Sequence, residues 1–465
     1  MNQHTQSANH LHGALREPSA LRACVTETVF RTRVFDMHTH LFAPQFGALN
    51  LWGIDELLTY HYLIAELMRA ENIAPRKFFA LSKGEQADLV WHTLFIERAP
   101  LSEATRGIIR ALTALDLNPR AKDLREARAF FANQKAEDFL NRVFEIACVS
   151  GVVMTNDPLD AAEAGVWNDG GEFDSRFHAA LRMDRLLNGW REAVPHIKAQ
   201  GFSVQEDLSA GALAETRRFL DAWIERMKPL YLAVSLPDTF AFPEDSARSK
   251  LISEVVLPAC REHDKPLAMM IGVRRRVNPE LQLAGDALGR ADITAVTNLC
   301  AAYPDNRFLV TMLARENQHE LCVAARKFGN LMPFGCWWFL NNPSIISEVT
   351  RERFELLGAS FIPQHSDARV LDQLIYKWEH SRRVIADALY ESFKCLMDNG
   401  WFATPKEIEQ EVTRLFSGNF RQWVGLETKA RGGGSLSPDS DGRSAREFEF
   451  EITDLKQQQR TKIQD

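Results

Sequence analysis

No stretch of this chain approaches the apolar length that a bilayer-spanning helix needs, so a membrane partner is not expected. The first thirty residues are polar and histidine-bearing and lack an apolar run of the signal-peptide kind. Cysteines are few and scattered, seven in all at positions 24, 148, 260, 300, 322, 336 and 395, with no CxxC spacing. An odd, dispersed set excludes a zinc-finger cage and a disulfide framework, and a reduced, cytoplasmic setting is expected. Neither sign of charge dominates. Lys and Arg number 55 against 62 Asp and Glu, a net charge of -7, and the two signs are interspersed. Without a basic stripe, nucleic acid is not expected as a partner, and the balance suits an enzyme of small molecules. Glycine-rich phosphate loops are missing too. No GxGxxG turn follows the first strand-like run, which ranks a dinucleotide-binding open sheet below its competitors.

What is present is a large apolar complement, 45% of 465 residues, enough for two or three domains or for one large barrel with insertions. Strand-like runs fall at 34–41, 146–154, 178–182, 230–235, 266–272, 308–313, 331–335 and 360–367. Eight short buried strands with helix-length spacers predict an α/β fold of the (β/α)8 TIM-barrel type. The first spacer is exceptional. Residues 64–145 read as helix-periodic with no strand signal, so a helical insertion is expected there, with the barrel formed by 31–63 and 146–426. Residues 1–30 read as an N-terminal arm. The glycine-rich stretch from Arg431 makes 427–465 a flexible tail, within which 448–452 alternates like an edge strand.

The chemistry begins on the first strand, which ends in His38-Thr39-His40. Residues i and i+2 of a strand share a face, so the two imidazoles can project together as metal ligands. Among thirteen histidines an HxH pair also arises by chance. Polar residues fall at the other strand ends as well, and Asp367, ending the eighth strand, would neighbour the HxH pair when the barrel closes.

This arrangement resembles the amidohydrolase superfamily, and within it the uronate (glucuronate and galacturonate) isomerases. The stretches that carry the resemblance are FDMHTHLF (35–42), NLW (50–52), YHYLIAELMRAENI (60–73), WHTLF (91–95), TNDPLD (155–160), ALRMD (180–184), FGCWWF (334–339) and SDAR (366–369). They run in order over most of 31–426. The resemblance implies a metal site at His38, His40 and Asp367, and Asp367, His61 or Tyr62 could handle the protons of the reaction. It implies a substrate-facing pair at His61 and Tyr62, active-site arginines at Arg182, Arg315 and Arg369, and pocket tryptophans at Trp337 and Trp338. The implied cofactor is a divalent metal, Zn2+ first, with Mn2+ and Fe2+ open. The implied reaction is aldose–ketose interconversion of a sugar acid by proton transfer. A metal-dependent hydrolase or lyase acting on another small acidic substrate is the alternative, and a homo-oligomer is compatible with either.

Bland readings stand beside these. His61 and Tyr62 also describe a helix-capping pair, and Arg182 can simply pair with Asp184. One of Trp337 and Trp338 belongs to core packing, because neighbours on a strand straddle its two faces. The chain also departs from the family. Met270 stands where the family has a strand-five histidine, Leu236 falls within the strand-four Ser-Asp-His site, and Glu316 replaces an aspartate. His365 lies two residues before Asp367, so alternation predicts that it faces the same side and supplies an imidazole to the metal centre or to the groups around its ligands in place of the missing one; a buried structural histidine is the competing reading.

Overall fold

The computed structural model describes residues 13–426. Its sheet consists of β1 (Val34–Thr39), β2 (Val149–Asn156), β3 (Phe177–Arg182), β4 (Leu232–Pro237), β5 (Leu267–Arg274), β6 (Ala287–Leu288), β7 (Phe308–Met312) and β8 (Leu331–Pro333). The order is β1-β2-β3-β4-β5-β7-β8, every neighbouring pair parallel, with β6 an antiparallel addition to β5. Closure comes from the eighth predicted stretch. On one side Gly335 N–H donates to Ile362 O at 2.8 Å and Ile362 N–H to Pro333 O at 3.1 Å. On the other, Asp367 N–H donates to His38 O at 3.3 Å and His40 N–H to Ala368 O at 2.8 Å. The expected TIM-barrel-type α/β fold is therefore what the chain adopts.

Period-two patterning explains how the barrel holds itself. Ala180, Ala233, Ala268, Met270, Leu309 and Met332 join one inner apolar cluster, while Leu181, Leu232, Val234, Met269, Ile271 and Val310 pack outward in the cluster shared with the helices. Strands buried on both faces read as continuous apolar runs, which makes them legible in the sequence. The inner positions turn polar toward the strand C-termini, at Thr155, Arg182 and Ser235, and that end carries the site.

Two predicted strands differ from expectation. The run 146–154 is two elements, because the helix Ala136–Ala147 ends at Cys148 in the left-handed conformation (φ 54°) and β2 starts only at Val149. An apolar run alone does not separate a buried helix end from a strand. The stretch 360–367 forms a single bridge, Phe334 with Ile362, rather than a regular strand.

Every element between β1 and β2 is helical, the longest being Glu103–Ala114 and Ala136–Ala147. Residues expected as part of an arm form the helix Pro18–Arg31, which buries Leu21, Val25 and Val29 against the long helix Gln373–Asp398. Buried Arg382 of that long helix donates to the Val29 carbonyl, to Thr32 O at 2.8 Å and to Cys148 O at 2.9 Å. One guanidinium thus satisfies the carbonyl end of a helix and the entries to β1 and β2. No helix among the described residues is long and apolar enough to cross a membrane. The expected tail, 427–465, and its alternating segment lie outside the described residues.

Candidate active site

The site starts from an irregularity in β1. Phe35 faces the barrel interior, whereas Asp36 faces outward, where its Oδ2 accepts from Trp378 Nε1–H at 2.8 Å. Unbroken alternation would send His38 and His40 outward as well. Instead the pairing with β2 shifts between Asp36 and Thr39: Asp36 faces Val152 and Thr39 faces Met154, so β1 carries one extra residue. A bulge of this kind re-aims the chain beyond it. Past it His38 is buried and His40 lines a cavity of about 200 Å³ at the barrel mouth.

Asp36 anchors the opposite wall. Its Oδ1 also accepts from Ser366 N–H at 3.1 Å, which fixes the backbone one residue before Asp367. Burial pushes its carboxyl up to about 6 against the pull of these donors. Asp367 itself sits at φ 53°, a left-handed conformation that a non-glycine residue adopts only when its surroundings impose it. The result is convergence. His38 Nε2 lies 3.8 Å and His40 Nε2 3.5 Å from Asp367 Oδ1, and the three ligand atoms lie within 4.8 Å of one another.

These contacts are too long for hydrogen bonds. Neither His38 Nε2 nor Asp367 Oδ1, both buried, has a hydrogen-bond partner among the described residues. Burial, and then the neighbouring His40, pushes His38 down to about 3. Burial together with Arg182 and Arg369 holds His40 well below the ordinary histidine range. Burial raises the Asp367 carboxyl. Two neutral imidazoles and one carboxylate oxygen, buried and facing each other without donors, form a set that a divalent cation satisfies.

Arginine and aromatic side chains line the rest of the cavity. Arg182, the last residue of β3, donates to Asp184 Oδ1 at 3.1 Å, so the simple pairing holds and the residue lines the cavity as well. Burial works against the Asp184 carboxylate, but Arg182 outweighs it and its carboxyl falls below the usual value. Arg369 lines the cavity with no ion-pair or side-chain hydrogen-bond partner for its guanidinium among the described residues. Trp337 and Trp338 both reach the cavity, Trp337 as part of the inner core cluster. The His61 ring meets Trp338 edge-on at 5.7 Å, its Nε2 buried and unpartnered, and burial followed by Arg369 pushes it down to about 3. It does not cap its helix, since no side chain does so at the start of His61–Ala70.

Three expected residues stand elsewhere. Tyr62 is one step, about 100°, further round the helix than His61 and does not line the cavity. The Lys377 ammonium lies 5.2 Å over its ring instead. Arg315 opens a short helical turn after β7, is exposed, and pairs with Glu348 at 2.8 Å in a separate acidic depression. His365 stays outside the ligand cluster. Its ring packs edge-on against His38 at 5.3 Å, buried, with neither nitrogen hydrogen-bonded. The alternation that would have put it beside Asp367 fails because the backbone there is not a strand. Its space exists only because residue 335 is glycine at φ 59°, where a Cβ would overlap His365 Nδ1.

Other residues of the cavity were not singled out from the sequence. Tyr60 precedes the helix turn and lines the wall beside His61, and Leu283 reaches in from the loop after β5. Arg275 lines it too, with Nη1 2.6 Å from buried Asp286 and its guanidinium 5.9 Å above the Trp338 ring. The signal for Arg275 was legible: Arg274 ends a barrel strand, and Arg275 and Arg276 follow directly.

No family model matches the chain, and a search of curated proteins finds no match. Solved structures do match. A uronate isomerase from Bacillus halodurans C-125 is 52% identical, with 89% of this chain and 98% of that one covered and a TM-score of 0.87. A uronate isomerase from Thermotoga maritima (15% identity, 87% and 97% covered, TM-score 0.69) and a glucuronate isomerase from Caulobacter crescentus (13%, 89% and 95%, TM-score 0.72) share the fold.

Proposed function

This chain belongs to the uronate isomerase family, and from that premise we propose that it interconverts the aldose and ketose forms of a hexuronate of the glucuronate or galacturonate type at the His38–His40–Asp367 end of its barrel. It is a uronate isomerase-like enzyme of a small-molecule substrate; the substrate and the roles of individual residues are our reading. The observation that carries it is the meeting of three oriented ligand atoms and three guanidinium groups, Arg182, Arg275 and Arg369, around one small cavity. At about 200 Å³ the space suits a single sugar acid and falls below the usual range for larger ligands.

The reaction moves a proton between C2 and C1 of the open-chain sugar through an enediol, and a second proton between the two oxygens. Asp367 is the base that holds the carbon-borne proton, because burial raises its proton affinity at the point where the histidines converge. His61, held neutral beside Arg369, can relay the oxygen-borne proton. Arg369, which forms no ion pair among the described residues, takes the substrate carboxylate through two parallel hydrogen bonds. Arg182, already oriented by Asp184, offers positive charge to the enediol oxygens without having to reorganise. His38, His40 and Asp367 would hold a divalent metal, Zn2+ by our reading, which when bound polarises the reacting carbonyl. We also propose a cytoplasmic setting, supported by seven cysteines that are all free thiols.

The test is turnover. Purified protein supplied with Zn2+ or Mn2+ should convert glucuronate or galacturonate to the ketose, and Asp367→Asn should lower kcat by about 10²–10⁴-fold. Metal-loaded protein that turns over neither sugar would overturn the proposal and favour a hydrolase or lyase.

A further inference from the structure

Each histidine of the cluster uses its second ring nitrogen in the same way. His38 Nδ1 lies 3.1 Å from the Tyr231 hydroxyl, and that hydroxyl is 2.7 Å from Met37 O, on β1 itself. His40 Nδ1 lies 2.9 Å from Thr155 Oγ1, and that oxygen is 3.0 Å from Thr39 O, again on β1. A hydroxyl has one proton to give, and a backbone carbonyl can only accept. If the Tyr231 proton went to His38, two oxygen lone pairs would face each other at 2.7 Å in a buried site, and Met37 O would lose this donor. The same holds for Thr155 and Thr39. The only arrangement that satisfies both chains of contacts has each hydroxyl donating to its carbonyl and accepting from the imidazole.

We propose that Tyr231 and Thr155 are positioning residues that lock His38 and His40 in the Nδ1-protonated tautomer, so that both Nε2 lone pairs point at Asp367. The two come from different strands, Thr155 from β2 and Tyr231 from the residue before β4, yet each closes its circuit on a carbonyl of β1. The bulge in β1 therefore does two things at once. It turns the histidines into the lumen and presents Met37 O and Thr39 O to the hydroxyls that fix their protons. The inference rests on the reading of His38 and His40 as metal ligands only for its purpose; the tautomers themselves belong to the metal-free protein. Supporting partners of this kind orient ligands and raise their basicity.

The test uses the full chain with 15N-labelled histidine, stripped of metal by a chelator, and two-bond proton–nitrogen correlations. His38 and His40 should show a protonated Nδ1 and a bare Nε2. Tyr231→Phe should release His38, and Thr155→Val should release His40, toward the Nε2-protonated form, each with a loss of about 10- to 100-fold in Zn2+ affinity. Thr155→Ser, which keeps the hydroxyl, should restore wild-type values. Nε2-protonated rings in the wild type, or both variants keeping the wild-type pattern, would overturn the proposal. Titration of wild-type protein with Zn2+ reports separately on the metal reading: absent binding with the predicted tautomers would remove the metal and leave the lock in place.

Discussion

β1 and the stretch 360–368 come from opposite ends of the sequence and lie side by side where the barrel closes, and they are built by different means. β1 is six buried residues hydrogen-bonded along β2, with one extra residue between Asp36 and Thr39. The stretch beside it has one bridge to β8 and two backbone hydrogen bonds with β1, and side chains set the rest of its course. Gln364 Oε1 takes the Cys336 N–H at 2.6 Å, Gln364 Nε2 reaches Asn341 Oδ1 at 3.1 Å, and Asn341 Nδ2 holds Ser366 O at 3.2 Å. A ladder fixes direction with backbone alone, so neighbouring side chains can be inferred by counting. A stretch held by side chains can place one residue, Asp367, at a conformation no ladder would allow. The candidate ligand set takes two members from the first kind of segment and one from the second.

The comparison breaks most directly at Asp36, where the ladder clasps its irregular partner. Asp36→Ala leaves the Trp378 indole N–H and the Ser366 N–H buried without acceptors, at about 1–3 kcal/mol each. Urea unfolding should show a loss of about 2–5 kcal/mol, and the folded fraction should bind Zn2+ more weakly because Asp367 is no longer held in place. Gly335→Ala comes next. The new Cβ meets the His365 ring at a left-handed backbone position, and a loss of about 2–3 kcal/mol should appear in the same assay, since both strain and overpacking are introduced.

Asp372 sharpens the contrast more gently. Just past the irregular stretch, its Oδ2 accepts the Gly53 N–H at 2.9 Å and so ties that stretch to the loop after β1. Burial outweighs that donor and raises its carboxyl from 3.8 to about 7. The fold therefore binds this proton more tightly than the unfolded chain does. The contribution is fully present below about 3.8 and is lost as pH rises through about 7. Asp372→Asn keeps an acceptor for Gly53 and never ionises, so stability measured from pH 4 to pH 8 should fall less steeply in the variant than in the wild type. Identical slopes would contradict the assignment.

What could be read from the sequence follows the same division. The barrel, seven of its strand positions and the shared face of His38 and His40 were accessible because alternation and burial leave a periodic trace. The bulge that turns both histidines inward left none, since one extra residue does not disturb the pattern of an all-buried strand. His365 does not join the three-residue cluster, because i and i+2 share a face only on a regular strand and Asp367 at φ 53° is not on one; its ring packs against His38 instead. Tyr62 and Arg315 sit where a helix turn and an outward loop take them, directions that depend on packing against distant residues. Arg275 was legible from its place just past a strand end, and Tyr60 from its neighbour His61.

We propose that the two segments together make one metal site, with two imidazoles from β1, one carboxylate from the irregular stretch, and no ligand from His365. X-ray absorption at the zinc edge of the loaded protein tests it. Wild type and His365→Leu should give the same spectrum, with two imidazole nitrogens and a carboxylate oxygen at about 2.0–2.2 Å. A third imidazole in the wild type that disappears in His365→Leu, or a zinc shell without histidine, would contradict it.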